Sequence, residues 1–73
     1  MKQRNRRPVF QLDTLEKALT VINAIYLIRL DGVVAGLRFL FDEYPEIRQS
    51  THAHVAELLG LTRETVTRSW KHL

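Results

Sequence analysis

The chain has 73 residues, no cysteine and a formal net charge of +3 at pH 7. This length allows a single domain with a limited core, and disulfide bonds are excluded, so we expect a partner to contribute to its stability. No apolar run reaches the roughly 20 residues of a membrane span and the basic start lacks a signal-peptide core, which predicts a cytoplasmic protein that does not contact membranes.

Positive charge is concentrated at the two ends of the sequence. Residues 1–7 carry +4 and residues 62–73 carry +2, whereas residues 8–61 carry −3. We expect residues 1–9 to form a flexible basic arm, and the sequence leaves open whether this arm enters a minor groove or is an unstructured end. A polyanion would be attracted to the ends of the chain rather than to its middle.

A long helix is predicted over residues 10–30. Its apolar positions step by three and four residues, which is the pattern of a coiled-coil seam. The seam residues are Leu12, Leu15, Leu19, Ile22 and Tyr26. A second apolar stripe is formed by Ala18, Val21, Ile25 and Ile28. We interpret the segment as a homodimerisation helix; the alternative is a core helix that packs only on its own domain.

Residues 31–73 are predicted to form a separate, helical domain. Asp31 and Gly32 interrupt the first helix, because glycine is a poor helix former and aspartate a good N-cap. The next helix is expected over about residues 32–44 and to end before Pro45, which disfavours helical backbone at the preceding residue. Its inward side chains are predicted to be Val33, Leu37, Leu40, Phe41 and Tyr44. Residues 45–50 are expected to be a short link.

Residues 51–73 are typical of two short helices that meet at Gly60. Thr51 and Thr62 are placed to cap them, since a hydroxyl can accept from the free amides of a first turn. Ala56 is small where the helices would cross. The apolar contacts between the helices are assigned to Val55, Leu58, Leu59, Leu61 and Val66. Val66, Trp70 and Leu73 form an inward stripe on the second helix.

The second of these helices, residues 62–73, also has a candidate reading face. Glu64 and Arg68 lie one turn apart, and Arg63 lies at the start of the same face. Arginine can donate two hydrogen bonds to guanine, and glutamate can accept one from cytosine. This combination predicts a DNA-binding helix-turn-helix whose second helix enters the major groove. The alternative is an ordinary helical hairpin with solvated charges.

Residues 58–68 resemble the helix-turn-helix of the Crp/Fnr transcription regulators. They read Leu-Leu-Gly-Leu-Thr-Arg-Glu-Thr-Val-Thr-Arg, and that family's pattern is close to Leu-Leu-Gly-x-(Ser/Thr)-Arg-Glu-Thr-Val-x-Arg. Residues 30–37 resemble, more weakly, the hinge and first helix that follow the family's long dimer helix. The resemblance therefore extends over roughly residues 10–73.

The resemblance implies that Arg63, Glu64 and Arg68 read bases of a half-site related to TGTGA. The residues that it places near DNA phosphates are Thr51, His52, Thr62, Thr65 and Lys71. The family's sensor domain and its β-hairpin wing have no counterpart in this sequence, so no effector is implied. Ser69 replaces a residue that is usually aliphatic in the family, which leaves the recognition of flanking bases open.

The sequence offers no convincing enzyme chemistry. The acidic residues at positions 42–46 lie at a helix end beside a proline, which is typical of a solvated face. Of the three histidines, His52 and His54 are two residues apart on a helix and should point to different faces, which disfavours a metal site. We expect a non-enzyme that needs no cofactor or metal.

The predicted fold class is all-α, with a long dimerisation helix followed by a small helix-turn-helix domain. The predicted function is a sequence-specific, nucleoid-associated transcription regulator that binds palindromic double-stranded DNA as a homodimer. The alternative is a helical protein-interaction module without specific DNA readout. RNA polymerase and a full-length member of the resembled family are two further partners that the sequence leaves open.

Overall fold

The computed structural model describes residues 10–73, which contain four α helices, one 3₁₀ helix and no strand. The helices are α1 (Leu15–Asp31), α2 (Val33–Glu43), the 3₁₀ helix (Pro45–Gln49), α3 (His52–Leu59) and α4 (Arg63–Trp70). The predicted all-α class is confirmed for this part of the chain. The predicted basic arm of residues 1–9 lies outside the described residues.

The helix predicted over residues 10–30 starts too early, because α1 begins at Leu15 and the seam residue Leu12 lies before it. The hydroxyl of Thr14 accepts a hydrogen bond from the backbone amide of Lys17 at 3.2 Å, so Thr14 is the N-cap. The ammonium of Lys17 donates to the Asp13 carboxylate at 3.0 Å, and this hydrogen bond lowers the pKa of Asp13. Both contacts fix the start of the helix at Leu15.

A single glycine joins α1 to α2 at a tight corner. Gly32 has a φ of 100°, which side chains rarely tolerate, and its N–H donates to the carbonyl of Ile28 at 2.9 Å. The predicted break at Asp31-Gly32 is therefore confirmed, with Asp31 as the last residue of α1. The corner folds α2 back against α1.

The two helices approach each other closely at Gly36. A Cβ atom added there would lie 2.4 Å from Cγ1 of Ile28 and 2.8 Å from the carbonyl oxygen of Ala24. Ala24 itself is completely buried. Two small residues thus allow backbone-to-backbone packing, and a larger residue at position 36 would force the helices apart.

One hydrophobic core is shared by the predicted helix of residues 10–30 and the predicted domain of residues 31–73. Its buried members are Phe10, Val21, Ala24, Leu37, Leu40, Phe41, Ile47, Val55, Ala56, Leu59 and Val66. Of the five inward positions predicted in the second helix, three are buried and the other two, Val33 and Tyr44, are partly buried against the core. The inward assignment is confirmed.

The segment predicted to be a simple link has a structural role. Residues Pro45–Gln49 form a 3₁₀ helix, and Ile47 within it is fully buried. Helix α2 ends at Glu43, before Pro45, as the proline predicted. Ile47 packs within the core beside α2. The polar residues on either side of it in the sequence therefore did not predict its burial.

Helix α1 has a packed face and an exposed face. Val21 and Ala24 are buried, and Ile25 and Ile28 pack against the core. The predicted seam residues Leu15, Leu19, Ile22 and Tyr26 lie on another side of the helix, and together with Leu12, which precedes the helix, they are between 48% and 75% exposed. The domain therefore covers one of the two apolar stripes and leaves the other in solvent. None of the helices in residues 10–73 is long and apolar enough to cross a membrane.

Candidate nucleic-acid interface

Local hydrogen bonds define the α3–α4 pair. The hydroxyl of Thr51 accepts from the amide of His54 at 3.1 Å, and that of Thr62 accepts from the amide of Thr65 at 3.2 Å. Gly60 takes the left-handed conformation at φ 70°, ψ 31° and ends α3. The amide of Leu61 then donates to the carbonyl of Ala56 at 2.8 Å. Both predicted caps and the predicted glycine turn are confirmed.

Helix α4 is held against the core by one apolar edge. Val66 is fully buried, and the ring of Trp70 packs against Phe41 with 5.1 Å between centroids. Arg38 of α2 donates to the carbonyl of His72 at 3.0 Å and fixes the turn after the helix. The inward stripe predicted for α4 is confirmed, with Trp70 and Leu73 partly buried.

The opposite edge of α4 is a polar surface in solvent, which we call the α4 outer face. Its exposed residues are Arg63, Glu64, Thr67, Arg68 and Lys71. At 100° per residue these five positions fall within an arc of about 140°. Within residues 10–73 the one ion pair links Lys17 to Asp13, so none involves the charged side chains of this face.

The three candidate base-reading residues thus share one accessible surface. Arg63 lies in the first turn of α4, Glu64 follows it, and Arg68 lies one turn after Glu64. Thr67 lies between them and was not assigned a role from the sequence. Its spacing of four residues from both Arg63 and Lys71 was the available signal for placing it on this face.

Three of the residues assigned to phosphate contacts take part in the hydrogen bonds that cap α3 and α4. Thr51 and Thr62 accept amide hydrogen bonds, and the hydroxyls of Thr62 and Thr65 are 2.8 Å apart. Thr51 and Thr62 are exposed, and Thr65 is half-buried. Lys71, by contrast, is exposed at the end of α4 and faces solvent on the α4 outer face.

His52, the remaining candidate phosphate contact, lies against α4. Its ring stacks on Trp70 with centroids 4.1 Å apart and 28° between planes. Its Nδ1 atom is 2.9 Å from the hydroxyl oxygen of Thr67, so the ring connects the first turn of α3 to the α4 outer face. The phosphate role predicted for His52 would have to use the other ring nitrogen.

His54 points to a different part of the molecule, as its spacing from His52 predicted. Its Nε2 atom is 2.8 Å from the backbone oxygen of Phe10, a contact between residues 44 positions apart. Phe10 is buried and packs on the ring of Tyr44 with 5.2 Å between centroids. Sequence reasoning missed this contact, because nothing local links the two residues.

An open groove lies beside the α3–α4 turn. Its lining residues are Thr51, Ala53, His54, Ala56, Glu57, Leu61 and Arg63. The groove therefore extends from the start of α3, where His54 binds Phe10, to the start of α4, where Arg63 begins the α4 outer face.

In the described part of the chain, no group of three or more histidine, aspartate or glutamate side chains could hold a metal ion.

The sequence matches no protein-family model, and it is significantly similar to none of the curated proteins or solved structures with which it was compared.

Proposed function

We propose that this protein is a sequence-specific DNA-binding transcription regulator that acts as a homodimer. The observation that carries the proposal is the α4 outer face, where Arg63, Glu64 and Arg68 lie together in solvent on a helix anchored by its other edge. In this function α3 and α4 act as a helix-turn-helix, and α4 enters the major groove.

The chemistry of the α4 outer face suits the edges of base pairs. Arg63 and Arg68 each offer a fork of donors for guanine O6 and N7, and Glu64 offers an acceptor for the amino group of cytosine. Lys71 and Thr67 lie beside them and can bind phosphate oxygens. Burial of Val66 and the tilted packing of Trp70 against Phe41 anchor the helix to the core, which suits direct readout.

The exposed stripe of α1 supports the homodimer. Together with Leu30, the five predicted seam residues are the large hydrophobic side chains that the described domain leaves exposed. They present roughly 600 Å² of surface, the upper end of the largest apolar patch on an ordinary monomer. If both stripes were completely buried against each other, the interface would bury at most about 1,200 Å², which is the lower limit of a stable interface.

A dimer of this kind predicts the form of the DNA site. Twofold-related α4 helices would enter successive major grooves about 34 Å apart, so the site would be a palindrome. The resemblance of residues 58–68 to the Crp/Fnr regulators suggests half-sites related to TGTGA. A full-length regulator of that type, or RNA polymerase, is a further partner within this proposal.

The first experiment compares binding to a palindromic TGTGA duplex and to a scrambled duplex across a series of salt concentrations. We expect a preference of about a hundredfold or more that persists as salt rises, because base contacts do not depend on counterion release. Equal binding to the two duplexes that falls steeply with salt would refute sequence-specific readout.

Two variants of α4 separate base reading from phosphate binding. Arg68→Ala should weaken binding to the palindrome by about 1–3 kcal/mol and leave binding to scrambled DNA much less affected. Lys71→Ala is the matched control on the same face and should weaken binding to both duplexes by the same factor, because phosphate contacts carry no sequence information. Equal losses from Arg68→Ala on both duplexes would contradict its base-reading role.

The second candidate function is a helical protein-interaction module, and the exposed stripe of α1 is the observation that favours it. In that case the stripe binds a different protein, and the α4 outer face is a solvated surface. Sedimentation of the isolated chain discriminates between the two functions. A stable homodimer supports the regulator, whereas a monomer at high concentration supports the interaction module.

A further inference from the structure

Thr67 is the one uncharged residue among the five exposed side chains of the α4 outer face. Under the proposed function, the arginine and glutamate side chains of this face bind guanine and cytosine, so these contacts recognise G·C pairs. In the major groove a T·A pair presents the C5-methyl group of thymine, which proteins recognise by apolar contact. Thr67 carries the methyl group that such a contact needs.

The position of Thr67 on α4 places it among the candidate base-reading residues. At 100° per residue, Thr67 lies about 40° around the helix axis from Arg63 and about 60° from Glu64, so it falls between them. It is exposed, as both of these neighbours are. A helix that turns Arg63 and Glu64 toward the edges of base pairs therefore also presents Thr67 to them.

The side chain of Thr67 is held from α3 by His52. The Nδ1 atom of His52 lies 2.9 Å from the Thr67 hydroxyl oxygen, and its ring stacks on Trp70 with centroids 4.1 Å apart. The stacking holds the ring in place, and the hydrogen bond turns the hydroxyl of Thr67 toward α3. The methyl group is the other branch at Cβ, so the contact leaves it free.

This hydrogen bond gives the methyl group of Thr67 a single position. A threonine in a helix divides between two χ1 rotamers, and its methyl group lies in a different place in each of them. A partner for the hydroxyl selects one rotamer before DNA is bound. The methyl group is then already in position, which lowers the entropic cost of the contact.

We infer that the methyl group of Thr67 contacts the C5-methyl group of a thymine in each half-site, and that His52 is the residue that positions it. This inference rests on the proposed function and adds a T·A pair to the bases that α4 reads. In a helix-turn-helix the first helix crosses the DNA backbone. The hydroxyl, held toward α3, therefore lies on the phosphate side, and the methyl group is left for the bases.

The test replaces thymine by deoxyuridine, which lacks only the C5-methyl group. Each thymine of the TGTGA half-site and of its complement is replaced in turn, always in both half-sites of the palindromic duplex. One of these replacements should weaken binding of the wild-type chain about fourfold per half-site, or about sixteenfold in total, because burial of one methyl-sized group contributes about that factor.

Two variants of Thr67 show whether this residue makes the contact. Thr67→Ser keeps the hydroxyl and removes the methyl group, so it should bind the thymine and deoxyuridine duplexes equally. Thr67→Val is the matched control, because it keeps a methyl group and removes the hydroxyl, and it should retain the sixteenfold factor. A Thr67→Ser variant that is as sensitive to deoxyuridine as the wild-type chain would overturn the inference.

His52→Phe tests the positioning role. Phenylalanine keeps a ring against Trp70 but lacks Nδ1, so the methyl group of Thr67 should divide between two positions and the factor should fall to about sixfold. Adding Thr67→Val should restore the full factor, because the two methyl groups of valine in its preferred helical rotamer occupy both positions. Each factor compares two duplexes with the same protein, so partial loss of folded protein leaves it unchanged. An unchanged factor in His52→Phe would refute the positioning role.

The proposed function and this inference fail in different ways. A wild-type chain that binds the palindromic and scrambled duplexes equally, or neither of them, refutes the proposed function and the inference with it. A wild-type chain that prefers the palindrome but binds every deoxyuridine duplex as well as the thymine duplex overturns only the inference. In that outcome the contact between His52 and Thr67 only connects α3 to α4.

Discussion

Substitution of Ile22 tests whether the exposed stripe of α1 is a dimer interface. Ile22 is 57% exposed, whereas its neighbour Val21 is 3% exposed and belongs to the core. Substitutions at these two neighbouring positions therefore report separately on dimer association and on folding. Ile22→Ala removes apolar surface from the stripe without touching the core, and Val21→Ala does the reverse.

The expected magnitudes follow from the area each change removes. Ile22→Ala deletes about 60 Å² of apolar surface per chain, which at 25 cal/mol per Å² is about 1.5 kcal/mol per chain and about 3 kcal/mol per dimer. The dissociation constant should therefore rise about a hundredfold. Val21→Ala should instead lower the free energy of unfolding by about 2 kcal/mol, because it leaves a cavity in the core.

Sedimentation equilibrium over a concentration series measures the first effect, and thermal unfolding of dilute, monomeric protein measures the second. In the monomer, Ile22→Ala should change stability by less than about 0.5 kcal/mol, because the residue is exposed. A wild-type chain that stays monomeric at high concentration would refute the argument. So would an Ile22→Ala variant whose monomer is destabilised as much as Val21→Ala, since Ile22 would then belong to the fold.

Two further predictions concern glycines. Gly36→Ala should destabilise the fold by about 1–2 kcal/mol in chemical denaturation, because overpacking against Ile28 and the Ala24 carbonyl outweighs the gain in helix propensity. The double variant Gly36→Ala, Ile28→Ala should lose less stability than the sum of the two single variants. Strictly additive losses would argue against the contact between positions 36 and 28. Gly60→Ala should lower the free energy of unfolding by about 1–2 kcal/mol, because only the left-handed backbone at position 60 disfavours a side chain there. Gly60→Asn should lose distinctly less stability, since asparagine tolerates this conformation better. Equal losses of stability in the two variants would point to another cause.

Local features of this fold were predictable because they depend on residues close in sequence. The caps at Thr51 and Thr62 each use an amide three residues away, and the left-handed turn needs only Gly60. The α4 outer face follows from helical periodicity once Val66 is taken as inward. Each of these features needs only the geometry of a single helix or turn.

Contacts between distant residues were not predictable from pattern alone. Ile47 lies in a polar stretch, and its complete burial depends on the packing of the 3₁₀ helix against α2 and the rest of the core. Gly36 has no unusual backbone conformation, so its importance appears only when Ala24 is packed against it. The Phe10–His54 contact spans 44 positions.

By itself, the sequence determined the helical class, the caps of α3 and α4 and the three candidate base-reading residues on one helix face, because hydrogen bonds within a turn and the 3.6-residue period are set locally. It placed the start of α1 too early, at residue 10 instead of Leu15. It also showed that α1 carries two apolar stripes. Only the tertiary structure decided which stripe the domain covers, since burial depends on the neighbours that a surface meets in space. By packing Val21 and Ala24 inward and leaving Leu19 and Ile22 outside, the fold leaves one apolar stripe of α1 exposed to solvent.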